Sequence, residues 1–131
     1  MCLASIVMSE VFAPEIVSFA TSRPTITRCR PPRDRLLVGD PEHVTRQYFS
    51  DSTGCFSVGV WESTPGRWRV SYTRNEFSHL TRGRLRIEGT RGGVWEFSAG
   101  DWFVIPAGFS GTCAALEPVS RLYVLCEPAP Q

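Results

Sequence analysis

Residues 67–108 read RWRVSYTRNEFSHLTRGRLRIEGTRGGVWEFSAGDWFVIPAG, and this stretch decides the fold. Trp68, Val70 and Tyr72 alternate with Arg67, Arg69 and Ser71, and Leu85 and Ile87 alternate with Arg84 and Arg86. A period of two places successive side chains on opposite faces of a β-strand. Gly83, GTRGG and SAGD interrupt the apolar segments at turn positions, since glycine reaches backbone angles that other residues avoid. Outward from this stretch the same grammar continues. Upstream lie QYF, the turn DSTG, CFSVGVWE and the turn STPG; downstream come AGFSG, TCAAL and RLYVLCE. No segment after Val44 follows a helical period. Many short strands joined by tight turns predict an all-β barrel or sandwich occupying residues 44–131.

Residues 1–43 differ. Pro14, Pro24, Pro31, Pro32 and Pro41 punctuate them. Proline lacks the N–H that a sheet ladder needs, so only short edge strands fit, near Ile16–Phe19 and Ile26–Arg28. This region reads as an irregular arm lying on the barrel or on a second subunit.

The chain has 131 residues, of which 42% are hydrophobic and 21% charged, and this composition excludes disorder, collagen and coiled coil. Fourteen basic residues, all Arg, balance 13 acidic ones to a formal charge of +1, so no overall field draws the chain to nucleic acid. The absence of Lys excludes a Schiff base and a phosphate-loop lysine. Arg67, Arg69, Arg82, Arg84 and Arg86 are read as a solvated or dimer-facing surface rather than a nucleic-acid site. Five cysteines (Cys2, Cys29, Cys55, Cys113 and Cys126) show no C-x-x-C spacing and predict neither a disulfide framework nor a zinc knuckle. Residues 1–19 lack a basic n-region and include Glu10 and Glu15, which does not read as a signal peptide. No apolar run approaches the roughly 18 residues of a membrane span. The expectation is a cytoplasmic protein without nucleic-acid or membrane partners.

Two motifs carry a family resemblance. Glu76-x6-Gly83 resembles the second half of the first cupin motif, and Gly100-x5-Pro106-Ala107-Gly108 resembles the first half of the second. The string from Trp61 to Phe77 is similar to small single-domain cupins related to the cupin domain of (S)-ureidoglycine aminohydrolase. The resemblance spans about Val60–Glu127 and implies a cupin barrel, a double-stranded β-helix of the jelly-roll type. It also implies where metal ligands should stand, and there the sequence departs from the family. The two histidine positions before Glu76 hold Val70 and Tyr72, or Arg69 and Ser71, and the position three after Gly108 holds Gly111. Glu76 alone remains. One carboxylate does not hold Zn, Fe or Mn, which take three or four protein donors, so neither a metal nor another cofactor is expected. His79, three residues from Glu76 on one strand, should face the opposite side of the sheet. His43, in the loop-like GDPEH segment, is expected to be solvated.

The resemblance implies that Glu76 points into the barrel, and alternation then places Ser78 and Leu80 on the same face, beside Trp68, Val70 and Tyr72. Phe109 and Cys113 are expected to approach the same mouth. The ligand-binding candidates are therefore Trp68, Tyr72, Glu76, Ser78, Phe109 and Cys113, around a cavity left by the missing histidines. Apolar walls with few polar groups suit a small organic metabolite. The expected function is non-catalytic binding of such a molecule by a homodimer. The alternative is a metal-independent hydrolase or isomerase with Glu76 as acid/base and Tyr72 as its partner. Cys113 has no evident histidine to activate it as a nucleophile.

Overall fold

The computed structural model describes residues 14–128. Cys2, Glu10 and the rest of the first 13 residues of the expected arm lie outside the described residues. Eleven strands are present among the described residues: β1 (Thr25–Cys29), β2 (Leu36–Gly39), β3 (His43–Ser50), β4 (Phe56–Ser63), β5 (Gly66–Ser71), β6 (Asn75–Arg82), β7 (Arg84–Gly89), β8 (Val94–Ser98), β9 (Trp102–Ile105), β10 (Ser110–Ala115) and β11 (Val119–Cys126). They form a six-stranded sheet of order β1-β3-β4-β11-β6-β9 facing a five-stranded sheet of order β2-β5-β10-β7-β8. Every pairing is antiparallel. This is the all-β jelly-roll barrel expected of a cupin.

The turns stand where glycine punctuates the sequence. Gly83 joins β6 to β7 with a φ of 85°, in the left-handed region. Leu80, Leu85, Ile87, Ile105, Ala115 and Val119 fill the space between the sheets, together with Trp68 and Cys113. The barrel rim is locked by backbone bonds. The Tyr72 N–H donates to the Phe109 carbonyl (2.9 Å), and the Gly108 N–H donates to the Tyr72 carbonyl (2.7 Å). The Ala107 N–H donates to Asn75 Oδ1 at 2.9 Å.

Before His43 the chain contributes to both sheets. β1 pairs with β3 at the edge of the six-stranded sheet and contains the expected strand Ile26–Arg28. β2, which the sequence did not announce, pairs with β5 at the edge of the other sheet. Ile16–Phe19 forms no strand, correcting the expectation there: the segment ends in a turn, and Phe19 stacks flat on Tyr48 of β3 with ring centroids 4.2 Å apart.

Candidate functional site

The inner face of β6 presents Glu76, Ser78 and Leu80 in sequence, all buried. Across the ladder, β11 pairs Leu125 with Glu76 and Arg121 with Leu80, and its inward row is Val119, Arg121 and Tyr123. Arg121 therefore reaches along the barrel interior to Glu76. Its Nη2 lies 3.0 Å from Glu76 Oε2, with both side chains almost wholly buried. Ser78 Oγ donates to the same carboxylate oxygen at 2.9 Å. The guanidinium carbon sits 4.3 Å from the Trp61 ring centroid, a cation–π contact. Arg121 Nε and Nη1 find no hydrogen-bond partner.

A charge buried this deeply is tolerable only when paired. Burial opposes the Arg121 charge, but the Glu76 carboxylate, with Tyr72 and Cys113, together outweighs it and holds Arg121 more firmly protonated than usual. Burial also governs the neighbours. Tyr72 is made harder to ionise by burial, with Arg121 acting against that and Glu76 with it. Burial pushes the Cys113 thiol up to about 12, a reluctant nucleophile, with Arg121 opposing the rise. Tyr123 is shifted upward by burial and then by Glu76.

His43 is half-buried among aromatic rings and not simply solvated, in contrast to the sequence expectation. It opens β3 and faces inward, its ring 4.5 Å from Trp68 and 5.0 Å from Trp61. Its Nε2 is buried without a partner. Burial, followed by the Arg121 charge, lowers its pKa to about 4, so the ring is neutral at physiological pH. His79 faces the opposite side of the sheet from Glu76, stacked on Trp102 at 3.7 Å.

Glu76, Arg121, Trp61 and Tyr123 line a cavity of about 190 Å3 together with Thr45, Gln47, Ser57 and Arg74. The expectation was a single cavity shared by Glu76, Tyr72 and Trp68. Glu76 opens on the cavity, whereas Trp68, Tyr72, Ser78, Phe109 and Cys113 do not line it. Trp68 and Cys113 are core residues, and Phe109 packs 6.3 Å from Tyr72 at the rim. Nor does Gly111 leave room for a lost side chain. β10 passes so close to β7 that a Cβ at this position would strike the Glu88 carbonyl. The space among Tyr72, Glu76 and Cys113 is served instead by Arg121. A second cavity of about 180 Å3, lined by Ile87, Trp95, Phe97, Phe103, Ile105 and Phe109 among others, is almost wholly apolar.

Arg121 was not singled out from the sequence. The only signal was its phase with Val119 and Tyr123, and the alternate row, Leu122 and Val124, is more apolar. Periodicity therefore favoured the wrong face.

The chain turns after β9 at Pro106–Gly108, where Gly108 has a φ of 94°. The sequence model of the EutQ-like cupin domain matches residues 50–123. The chain belongs to the EutQ-like cupin family. Solved structures agree on the fold of this EutQ-like cupin. One is a DUF861-family protein of unknown function from Pseudomonas syringae pv. tomato, with a TM-score of 0.70 and 20% identity, covering 77% of this chain and 44% of that one. The Clostridium difficile EutQ protein superposes with a TM-score of 0.59 at 18% identity, covering 66% of this chain and 63% of that one. A cupin superfamily protein from Desulfitobacterium hafniense follows with a TM-score of 0.57 at 9% identity, covering 66% and 78% of the two chains. This cupin thus spans less than two thirds of the first two neighbours. No curated protein matches it.

The residues do not fit the metal ion that many cupins hold. No group of three or more His, Cys, Asp or Glu side chains is placed for a metal among the described residues. The one retained family ligand, Glu76, is already engaged by a guanidinium and a hydroxyl. No helix among the described residues is long and apolar enough to cross a membrane.

Proposed function

We propose that this EutQ-like cupin binds a small polar metabolite in the cavity over the Glu76–Arg121 pair, without a metal and without catalysis. The observation that carries this reading is the make-up of that cavity. An ion pair and two aromatic rings share its lining with three hydrogen-bonding side chains, Thr45, Gln47 and Ser57, and with Arg74. Such a wall recognises a molecule that both donates and accepts hydrogen bonds and offers one flat face to Trp61. The volume of about 190 Å3 is that of about six waters at roughly 30 Å3 each, room for a small amide or amino acid.

The other expected site residues would act through this wall. Ser78 holds Glu76, Trp68 backs Trp61 at 6.0 Å, and Tyr72, Phe109 and Cys113 fix the region around the guanidinium. The acid/base reading is less well supported. One Glu76 oxygen accepts from both Arg121 and Ser78, and burial makes the Tyr72 phenol harder to ionise. The manganese-dependent chemistry of ureidoglycine aminohydrolase is not carried over, because its ligand positions are filled by other residues.

A thermal-shift screen of small amides, amino acids and short carboxylates tests the proposal, since a ligand of the folded state alone must raise Tm. At least one compound should stabilise the protein, and Thr45→Val should abolish that shift. A panel without a hit, or a hit indifferent to Thr45→Val, removes the cavity from consideration.

Pairing with a second copy belongs to the same proposal. The outer face of the six-stranded sheet exposes Phe77 (37%), Trp102 (61%) and Val104 (58%) side by side on β6 and β9. Contiguous aromatic surface of this kind marks an association face, and β9 is also a sheet edge with unpaired backbone groups. A two-fold axis over this face would cover both at once.

A further inference from the structure

We propose that the Arg121 guanidinium is a permanent internal cation standing where a metal-binding cupin holds its ion, so that the Glu76 site neither needs nor admits a divalent metal. Of the positions the cupin resemblance assigns to metal ligands, Glu76 is engaged by the Arg121 guanidinium, and Gly111 has no room for any side chain. A guanidinium satisfies the carboxylate as a metal would, at 3.0 Å through Nη2, while its flat face lies on Trp61 at 4.3 Å. That second contact suits a planar, weakly hydrated cation and not a compact, strongly hydrated ion. The cation arrives from β11, the strand paired with β6 in the same sheet, which in sequence lies outside both motifs.

Two properties follow. The charge balance of the interior is fixed by the covalent chain, so it does not respond to metal supply. Glu76 is committed to holding Arg121, and the two unpartnered donors, Nε and Nη1, are the remaining unsatisfied valence of the site. This inference does not depend on a ligand filling the neighbouring cavity, and a failed metabolite screen leaves it standing.

Chemical rescue tests it. Arg121→Ala should lower Tm sharply and leave a guanidinium-shaped space beside an uncompensated carboxylate. Low-millimolar guanidinium or methylguanidinium should then raise the Tm of Arg121→Ala in proportion to the logarithm of its concentration, whereas sodium and ammonium at equal ionic strength should not. The same additive should not stabilise the unmodified protein, nor the double variant Glu76→Gln/Arg121→Ala, in which the carboxylate is gone. If Arg121→Ala does not fold, Arg121→Gly expressed and refolded with or without methylguanidinium reads the same property as recovered folded yield. Manganese, zinc and chelator should each leave the Tm of the unmodified protein unchanged. Stabilisation of that protein by manganese or zinc, dependent on Glu76, overturns the proposal. So does an absence of selective rescue in both Arg121 variants.

Discussion

Strand β6 carries Glu76 and Ser78 on its inner face and Phe77 and His79 on its outer face, so along these four residues charge lies inside and aromatic surface outside. The two faces solve opposite problems. Inside, the cost of burying Glu76 is offset by Arg121 and Ser78, neither adjacent in sequence to it. Outside, Phe77 and His79 are covered only partly, by the Trp102 ring that crosses from β9. The contrast teaches that the pleat fixes which residues share a face, while partners on other strands decide which face can be buried. The inner ion pair is made within one chain. The outer face is left partly uncovered, and the proposed second copy would complete it.

The inner face offers the largest effect. Glu76→Ala leaves the Arg121 charge buried and unpaired and should cost about 3–5 kcal/mol in urea unfolding, whereas the double variant Glu76→Met/Arg121→Leu should cost far less. A single-variant loss below about 1 kcal/mol, the range of exposed ion pairs, would mean that the pair is not desolvated.

A smaller effect comes from His43, at the end of the same interior. Its folded-state pKa of about 4 lies below the ordinary 6.5. Between those values the unfolded chain takes up a proton that the folded chain refuses. Stability therefore falls as pH drops through this window and is unaffected by His43 above it. With allowance for partial exposure, the contribution is about 1–2 kcal/mol. His43→Gln should remove that part of the slope between about pH 7 and pH 4 in urea midpoints. An unchanged slope would show that His43 protonates freely and is not held neutral by its surroundings.

The smallest effect on folding belongs to the outer face. Trp102→Ser should change chain stability by less than about 1 kcal/mol, because the ring is exposed and loses only its surface contacts with His79 and Phe77. In sedimentation velocity it should nevertheless convert a species of twice the chain mass into a monomer. An unmodified protein that already sediments as a monomer breaks the proposed completion of this face.

Much of the barrel was legible because strands announce themselves locally. The alternation in RWRVSY and RLRIE and the glycine turn at Gly83 placed β5, β6 and β7 correctly, and the opposite orientations of Glu76 and His79 follow from the period alone. The strand β2 escaped because LLVG shows no alternation and follows a Pro-rich segment, and its place is set by pairing with β5. His43 was misread for a related reason. GDPEH has the composition of a turn, and only pairing of β3 against β4 turns the imidazole towards Trp61 and Trp68.

The sequence by itself determined the class of fold, through residue identity, spacing and a two-residue period, whereas the inward carboxylate at Glu76 and the missing ligand positions were read from the cupin resemblance. Tertiary structure decided what Glu76 meets. Arg121 lies 45 positions away, on a strand whose two faces are both apolar enough to be buried, and nothing local tells them apart. Only the register of β11 between β4 and β6 selects the face that brings its guanidinium to the carboxylate, since an ion pair inside a barrel is a property of which strands are neighbours and not of any segment alone.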